Sequence, residues 1–193
     1  MGEKIVIGIV SDTHGHLPDA VLDIFSGKYD ISRMKEELFI DGADADLPAP
    51  RCVDAIVHAG DIGELEPISQ GIIDALEAIA PVHAVLGNRD MPGYVAGGKP
   101  LDFQLHTFDV CGVSIAVMHK PDELNAVLRR KKTKPRVQIY GHTHEPKLRR
   151  IGPRLMLCPG SIHNPKGDWP RRTVALLYLE SPGKVLGARI LEV

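Results

Sequence analysis

The chain has 193 residues, of which 44% are hydrophobic, 25% are charged and 5% are aromatic, and its formal net charge is −2. A composition of this kind is typical of a soluble globular protein, and the length suits one domain that buries a sizeable core. The near-neutral charge gives no indication of a nucleic-acid partner or of an anionic membrane surface.

The location of the protein is predicted from its cysteines and its apolar runs. Three cysteines, an odd number without close spacing, fit free thiols in a reducing compartment better than a disulfide framework. The apolar run near the N-terminus covers only about six residues, which is too short for a signal-peptide core or a membrane span. No later segment is long enough either. We therefore predict a cytoplasmic protein.

The first half of the chain alternates strand and helix patterns. Continuous β-branched and apolar runs predict strands buried on both faces in "KIVIGIVSD", "CVDAIVHAGD" and "PVHAVLGN". Between them, "PDAVLDIF" has a proline suited to a first helical turn, and "ELEPISQGIIDALEAIA" has apolar residues at helical spacing. These apolar residues are Leu65, Ile68, Ile72, Leu76 and Ile79. The alternation predicts a layered α/β fold.

Residues 27–51 interrupt this alternation and are predicted to be an insertion in a single domain that spans residues 1–193. Within them, "ISRMKEELF" is compatible with a helix, whereas "DGADADLPAP" is acidic and rich in turn-forming residues. Its aspartates lack the spacing and the closing glutamate of a calcium-binding loop. We therefore interpret the acidic stretch as a solvated loop.

The second half of the chain contains more strands that are joined by tight turns. "DFQLHTFDV" and "GVSIAVMHK" flank Cys111 and Gly112 and predict a hairpin, "PDELNAVLRRKK" predicts a short amphipathic helix, and "PRVQIYGHTH" predicts another buried strand. Four more strands are expected in "KLRRIG", "RLMLCPGS", "TVALLYLE" and "KVLGARILEV". Parallel strands early and antiparallel strands later predict two sheets packed together, with helices outside.

Side chains suited to metal coordination follow the predicted strands. Because the carboxyl ends of strands form the active-site crevice in layered α/β folds, we expect these side chains to converge. In Asp-x-His or His-x-His on an extended segment, both side chains point to the same face, and a glycine before a ligand lets the backbone come close. The seven candidates are Asp12, His14, Asp61, Asn88, His119, His142 and His144.

The chemistry of these seven side chains favours two metal ions. Carboxylate, carboxamide and imidazole suit manganese, iron, zinc, nickel or magnesium, and no thiolate is among them. Seven ligands exceed what one ion takes from protein while an open position remains, whereas two ions bridged by one carboxylate use them all. Each motif alone has a bland explanation, since a single Asp-x-His is often a turn and a buried histidine is usually only hydrogen-bonded. Five such motifs, each after an apolar strand, favour the metal site.

The motifs "SDTHG", "GDIGE", "GNRD", "MHK" and "GHTHEP", in this order, resemble the five blocks of the calcineurin-like metallophosphoesterase superfamily and span residues 11–146. The compact size, the "GHTHEP" block and "PGS" at residues 159–161 look most like its small prokaryotic phosphodiesterase branch. The resemblance implies a four-layer α-β-β-α sandwich of two mixed sheets, in agreement with the two sheets predicted above.

The resemblance also implies a role for each candidate ligand. Asp12, His14 and His144 would bind one ion, Asn88, His119 and His142 the other, and Asp61 would bridge them. A metal-bridging hydroxide would be the nucleophile, and Asn88 would also contact the substrate. The expected cofactors are two divalent ions, with manganese favoured over nickel, cobalt, iron, zinc or magnesium.

At Arg89 the chain differs from many members of the superfamily, which have a histidine there that is regarded as protonating the leaving group or contacting the phosphate. Arginine cannot release a proton near neutral pH. Two roles stay open for its side chain: a planar fork on a phosphate oxygen, or an ion pair with Asp90 or an acidic loop residue. We expect Asp90 to support the site from behind and predict Asn88, Arg89 and Asp90 as the catalytic residues.

The remaining histidines are predicted to be ordinary packing or surface residues. His58 is the one candidate among them for orienting Asp61, and His16 and His163 stand beside site motifs. His83 and His106 have no such connection.

The predicted function is hydrolysis of small phosphodiesters by a metal-dependent phosphodiesterase with an open site, because 193 residues leave no room for a large specificity cap. One alternative is a phosphomonoesterase acting on nucleotides or phosphoproteins. Another is a non-catalytic scaffold, similar to a trafficking subunit of this fold whose metal site has decayed. The expected partner is the small substrate, without a membrane or a specific nucleic acid, and a homo-oligomer is left open.

Overall fold

The structure is a computed structural model that describes residues 2–29, 37–39, 51–64, 67–167 and 170–193, with only the backbone considered at 37–39. The helices are α1 (Asp19–Phe25), α2 (Ile68–Glu77) and α3 (Pro121–Lys131). The strands are β1 (Lys4–Val10), β2 (Glu37–Phe39), β3 (Ala55–His58), β4 (Val82–Ala84), β5 (Val95–Ala96), β6 (Lys99–Pro100), β7 (His106–Val110), β8 (Val113–Val117), β9 (Val137–Ile139), β10 (Lys147–Ile151), β11 (Arg154–Cys158), β12 (Thr173–Glu180) and β13 (Lys184–Glu192).

The first sheet has six strands in the order β2-β13-β12-β1-β3-β4. The β-branched runs predicted as buried strands form its parallel half, in which β1 pairs with β3 and β3 with β4. On the other side of β1, β12 runs antiparallel with Ile7 opposite Leu177, and β13 and β2 continue the antiparallel order. The sheet is therefore mixed.

The second sheet has five strands in the order β10-β11-β9-β8-β7. Its centre is parallel, because β9 pairs in parallel with both β8 and β11, while β7 and β10 run antiparallel at the two edges. The predicted hairpin around Cys111 and Gly112 is confirmed as β7–β8. A further hairpin, β5–β6, was not predicted.

Three apolar clusters separate the layers. In β1, Ile7 belongs to the cluster between the two sheets, whereas Val6 and Val10 belong to the cluster that includes the buried residues of α1 and α2. A third, smaller cluster buries Leu124 and Leu128 of α3 against the second sheet. The order of layers is helix, sheet, sheet, helix, which confirms the predicted four-layer α-β-β-α sandwich.

The structure corrects the predicted helix "ISRMKEELF" and the helical stripe that begins at Leu65. Residues 37–39 form β2, which pairs with β13 at the edge of the first sheet, while 31–36 lie outside the described residues. Leu65 also lies outside them, and α2 begins only at Ile68, whose surface is 54% exposed. Ile72 and Leu76 of the predicted stripe are confirmed on the buried side of α2, which also contains Ser69 and Ile73.

The acidic stretch at 41–50 lies outside the described residues, so the solvated-loop interpretation and the single-domain organisation stay predictions. Among the three helices within the described ranges, none has the length and apolar character needed to cross a bilayer. Cys52, Cys111 and Cys158 are all free thiols, as predicted.

Candidate metal centre

The segments that follow β1, β3, β8 and β9 are tied together by backbone and side-chain hydrogen bonds. The backbone N–H groups of Asp12 and His14 donate to the carbonyls of Gly60 (3.0 Å) and Asp61 (3.0 Å). The His142 N–H donates to Asp12 Oδ2 at 3.1 Å. These bonds bring residues far apart in sequence to the carboxyl end of the parallel strands, where the site was predicted.

Most of the predicted ligands have left-handed backbone conformations. Among described residues other than glycine, seven have positive φ and five of these are predicted ligands. They are Asp12 (54°), His14 (45°), Asp61 (52°), His142 (67°) and His144 (59°). The predicted extended conformation of Asp-x-His and His-x-His was therefore wrong. Each such residue costs about 1–2 kcal/mol, and strain of this kind concentrates at functional sites.

The glycines before the ligands allow close approach between the segments, as predicted. A Cβ atom at Gly87 would lie 2.1 Å from Asp61 Oδ1, and one at Gly141 would lie 2.0 Å from Ser11 Oγ. A Cβ atom at Gly60, where φ is +93°, would lie 2.7 Å from His119 Nδ1. No side chain fits at these positions unless the site residues move apart.

Asp12, His14, Asp61 and His144 form the tightest group of candidate ligands. Each offers one ligand atom, and these atoms lie within 4.8 Å of one another. The two oxygens of the Asp12 carboxylate have different neighbours. Its Oδ2 accepts hydrogen bonds from Ser11 Oγ (2.6 Å) and the His142 N–H, while its Oδ1 lies 3.2 Å from His144 Nε2.

Asp61 lies between this group and the other predicted ligands. Its Oδ2 is 3.8 Å from His14 Nε2 on one side and 3.4 Å from His119 Nε2 on the other, while its Oδ1 accepts the backbone N–H of Arg89 at 2.9 Å. The His119 ring is 5.2 Å from the His142 ring. The carboxylate of Asp61 thus lies within 4 Å of one imidazole from each predicted set of ligands.

The polar atoms of these residues fit divalent metal ions. Asp12 Oδ1, His14 Nε2 and His119 Nε2 are buried side-chain atoms without a hydrogen-bond partner. A buried polar atom that lacks a hydrogen-bond partner is costly, so three such atoms among the predicted ligands call for a bound group that accepts oxygen and nitrogen lone pairs. Carboxylate and imidazole donors of this kind suit divalent transition metals.

Two of the histidines are oriented by backbone carbonyls. His119 Nδ1 lies 2.8 Å from the carbonyl oxygen of Ala59, and His144 Nδ1 lies 2.6 Å from that of Asn164. Because a carbonyl only accepts, Nδ1–H donates in each case and Nε2 keeps its lone pair for a metal. Sequence reasoning did not identify Asn164, whose contribution is a backbone atom.

The protonation of the four histidines follows from their surroundings. Burial lowers the pKa of His14 and of His142, so both are neutral at pH 7. The carboxylate of Asp12 raises the pKa of His144, and Asp61 raises that of His119 against the opposing effect of burial. Protons that bind to these two histidines compete with a metal for the same ring nitrogens, so metal affinity is expected to fall as the pH is lowered.

The segment Asn88–Asp90 is divided between the cleft and the interior. Asn88 and Arg89 line the cleft, and Arg89 Nε and Nη2 donate to Glu64 Oε1 at 2.7 and 2.5 Å. Asp90 is buried, and its carboxylate accepts the backbone N–H groups of Gly63 (2.9 Å) and Gly87 (2.7 Å). The fork of Arg89 therefore faces a carboxylate of the preceding motif, and Asp90 supports the loop from behind.

A cleft of about 680 Å³ opens above the candidate ligands. Its rim carries Arg89 and Glu64 together with His163 and Lys166, and the exposed side chain of Ile68 forms an apolar part of the wall. Sequence reasoning missed Glu64 and Lys166 as wall residues. Glu64 is the last residue of the "GDIGE" motif, which was a usable signal, whereas nothing in the local sequence distinguished Lys166 from a surface lysine.

The histidines outside the predicted ligand set mostly have ordinary partners, as expected. His83 Nδ1 lies 3.2 Å from His106 Nε2, away from the cleft, and His16 Nε2 lies 3.5 Å from Arg172 Nη1. His163 is the exception, because it lines the cleft with its ring 5.7 Å from that of His14.

His58 is fully buried and supports the site indirectly. The Thr13 hydroxyl donates to the carbonyl of Ile62 (2.9 Å), so it accepts from His58 Nε2 (3.0 Å), while His58 Nδ1 accepts the N–H of Gly60 (3.2 Å). A second ring proton would have to sit on Nδ1, where it would face the N–H of Gly60, so these contacts favour the neutral ring. Burial lowers the pKa of His58 from 6.5 to about 3. His58 contacts the residues beside Asp12 and Asp61 rather than Asp61 itself.

This neutral His58 is expected to make the protein less stable in mild acid. Between pH 6.5 and 3 the unfolded chain binds the proton and the native state does not, so stability falls as the pH is lowered through this range. From pH 7.5 to 5 the free energy of unfolding should decrease by about 2 kcal/mol through this residue. Urea unfolding of wild type and His58→Gln at both pH values measures the difference in slope.

The control for that measurement is His16→Gln, which replaces an exposed histidine. This variant is expected to lose as much free energy of unfolding between the two pH values as the wild type does. Equal loss of stability in wild type and His58→Gln would contradict the neutral, buried state of His58.

Comparison of the sequence with known protein families identifies the class to which this fold and this site belong. The model of the calcineurin-like phosphoesterase superfamily domain matches residues 5–182, so the chain belongs to this superfamily of metal-dependent phosphoesterases. It is 28% identical over 192 residues to a probable metallophosphoesterase of Methanothermobacter thermautotrophicus, covering 97% of this chain and 92% of that protein.

Solved structures show the same fold at lower sequence identity. An archaeal phosphodiesterase aligns with a TM-score of 0.61 and 19% identity over 97% of this chain and 99% of the other. Vps29 of Entamoeba histolytica in complex with Zn²⁺ aligns with a TM-score of 0.60 and 19% identity, again over 97% and 99%. The resemblance inferred from the sequence motifs is thereby confirmed at the level of family and fold.

Proposed function

We propose that this protein is a phosphodiesterase that hydrolyses small phosphodiesters with two divalent metal ions. The observation that carries the proposal is a group of buried atoms without a hydrogen-bond partner, Asp12 Oδ1, His14 Nε2 and His119 Nε2. The two histidine atoms lie beside Asp61, which lines the open cleft together with His14, His142 and His144. Asp12, His14 and His144 would bind one ion, Asn88, His119 and His142 the other, and Asp61 both. Manganese is the first metal to test.

The chemistry of the proposed reaction is divided between the ions and the protein. When bound, two divalent ions supply an activated water nucleophile and neutralise charge on the phosphoryl oxygens. The protein orients the ligands through Ala59, Asn164 and the Arg89 backbone N–H. Water attacks phosphorus and releases a proton to solvent, the bond from phosphorus to the leaving oxygen breaks, and the leaving alkoxide takes a proton from solvent. Arg89 contributes positive charge at the rim but no proton.

Two observations favour diesters over monoesters. A diester has one negative charge, and the rim offers the cation Arg89 already paired with the anion Glu64. The archaeal neighbour with a TM-score of 0.61 is described as a phosphodiesterase. We infer from both that the substrate is a small monoanionic diester. Because Arg89 cannot protonate the leaving oxygen, we expect the leaving group to be a good one.

The test is a screen of metals against substrates. Chelator-treated protein is loaded with manganese, nickel, cobalt, zinc, iron or magnesium and assayed on bis- and mono-nitrophenyl phosphate. The proposal expects metal-dependent turnover that is faster on the diester. Faster turnover of the monoester would favour a phosphomonoesterase, and no turnover with any metal would contradict both enzymatic functions.

Arg89→Ala is expected to lower kcat/KM for the diester by about 1–3 kcal/mol of transition-state stabilisation, because the guanidinium no longer balances charge on the phosphoryl oxygens. Steady-state kinetics on bis-nitrophenyl phosphate measures the change, and circular dichroism checks the fold. If the variant is folded and its kinetics are unchanged, Arg89 has no role at the phosphate and serves only in the ion pair with Glu64.

A non-catalytic scaffold is the second candidate function. The likeness to Vps29 favours it, and so do two exposed apolar residues, Ile68 on the cleft wall (54% exposed) and Met91 (58% exposed). The strained and unpartnered ligand set speaks for the enzyme, because a scaffold has no need for it. The cytoplasmic location and the small-molecule partner remain predictions of the sequence.

A further inference from the structure

Glu64 is charged, exposed and placed on the wall of the catalytic cleft beside Arg89. The two side chains are 51% and 57% exposed, and both Arg89 Nε and Nη2 donate to the same oxygen, Glu64 Oε1, at 2.7 and 2.5 Å. The backbone N–H of Arg89 also donates to Asp61 Oδ1. The ion pair is thus attached, through one residue, to the carboxylate at the centre of the site.

The pair changes what charge the cleft offers a substrate. Arg89 alone would add one positive charge above the candidate ligands and would attract any phosphate ester. Paired with Glu64, Arg89 adds almost no net charge to the rim at long range, and an incoming phosphoryl oxygen meets a guanidinium whose Nε edge is already engaged. Because both side chains are more than half exposed, opening the pair costs little, so a substrate can share Arg89 with Glu64.

We propose that Glu64 is a specificity-determining residue that makes the cleft favour monoanionic phosphodiesters over dianionic phosphomonoesters. The inference rests on the proposed function, since it concerns substrates of the same site. Glu64 acts by its fixed negative charge, which repels the second charge of a monoester. A unit charge on the wall of a cleft of this size lies within roughly 10 Å of a bound phosphoryl group, which corresponds to about a threefold to tenfold effect per extra substrate charge.

Two substitutions should move the selectivity in opposite directions. Glu64→Gln keeps the size of the side chain and removes its charge, so kcat/KM for mono-nitrophenyl phosphate should rise about threefold to tenfold relative to the diester. Arg89→Gln leaves Glu64 uncompensated, so the monoester should lose more than the diester. A purely structural ion pair would instead change both substrates alike in each variant.

The matched control is Glu180→Gln. Glu180 also forms an ion pair, with Lys184 at 3.2 Å, but it lies opposite Lys4 at the other end of β1 from the site. Removing this carboxylate should leave the ratio of the two substrates unchanged. Raising the ionic strength to about 0.5 M should shrink the difference between Glu64→Gln and wild type, because salt screens exposed charges.

Ligand binding separates failure of this inference from failure of the proposed function. Calorimetry on manganese-loaded protein at pH 8 compares inorganic phosphate, which is a dianion there, with dimethyl phosphate, which is a monoanion. Glu64→Gln should tighten phosphate binding about threefold to tenfold and change dimethyl phosphate binding much less. Equal changes for both ligands, or none, would overturn the role of Glu64 whether or not the protein turns over. Absence of turnover with this binding difference present would instead reject only the hydrolytic function.

Discussion

Replacing Asp61 with alanine is expected to reduce metal-dependent phosphodiester hydrolysis by about 1,000-fold or more. The carboxylate is 2% exposed and lies between His14 Nε2 and His119 Nε2, at 3.8 and 3.4 Å, so its removal takes one ligand from each proposed ion. A loss of about 4 kcal/mol of transition-state stabilisation corresponds to this factor, which is reasonable when two ions lose their common ligand. The measurement is kcat/KM on bis-nitrophenyl phosphate together with metal content.

Two further variants serve as comparisons for Asp61→Ala: the isosteric Asp61→Asn, and Asp74→Asn as the control away from the site. Asp61→Asn keeps the shape and the acceptor for the Arg89 N–H but loses the charge, so it separates metal binding from folding. Asp74 is exposed on α2 and accepts a hydrogen bond only from Gln70 among the contacts described for its side chain, so Asp74→Asn should keep full activity. Activity that survives Asp61→Ala would exclude the bridged two-metal mechanism.

Replacing Gly87 with alanine is expected to be the most damaging single-methyl change near the site. The new Cβ would lie 2.1 Å from Asp61 Oδ1 and 2.2 Å from the Asp61 backbone nitrogen. The second atom is backbone, and the first is held by the backbone N–H of Arg89. Relieving the overlap must shift the Asn88 loop away from Asp61. We expect a loss of about 2–3 kcal/mol in the free energy of unfolding and, because displacement of about 1 Å disturbs catalysis, about 100-fold in kcat.

Gly71→Ala is the matched control for Gly87→Ala. Gly71 lies within α2, and a Cβ atom there would have no neighbour within 4 Å. The same added methyl group should therefore stabilise the protein by up to about 1 kcal/mol, through helix propensity, and leave kinetics unchanged. Urea unfolding and metal titration of both variants test the pair. Wild-type stability and metal affinity in Gly87→Ala would show that the close approach of Gly87 and Asp61 is not required.

The location of the site could be predicted from the sequence because it depends on a topological rule. The apolar run before Asp12 and the run before Asp61 form adjacent parallel strands, and the carboxyl ends of such strands meet at one edge. A glycine directly before Asp61 and another before Asn88 indicated close backbone approach, which the 2.1 Å overlap at Gly87 bears out. The nature of the donors then indicated divalent metals without any coordinates.

The backbone conformation of the ligands could not be predicted in the same way. His14 and His144 have positive φ, at 45° and 59°, a region that histidine adopts more often than most residues but still uncommonly. Hydrogen bonds from distant residues impose these conformations. At Asp12, whose φ is 54°, the His163 N–H and the Ser161 hydroxyl donate to the carbonyl at 3.2 and 3.1 Å from about 150 residues further along the chain.

The sequence by itself determined the family, the layered α/β class and the candidate ligands, because these depend on periodicity and on local motifs. Only the tertiary structure decided that β12 and β13 return to pair beside β1, since strand pairing across the whole chain depends on packing between distant segments. It also decided that the Arg89 fork turns to Glu64 rather than to the adjacent Asp90, whose carboxylate is buried and bound to backbone N–H groups. A long side chain takes the partner that the fold places within its reach.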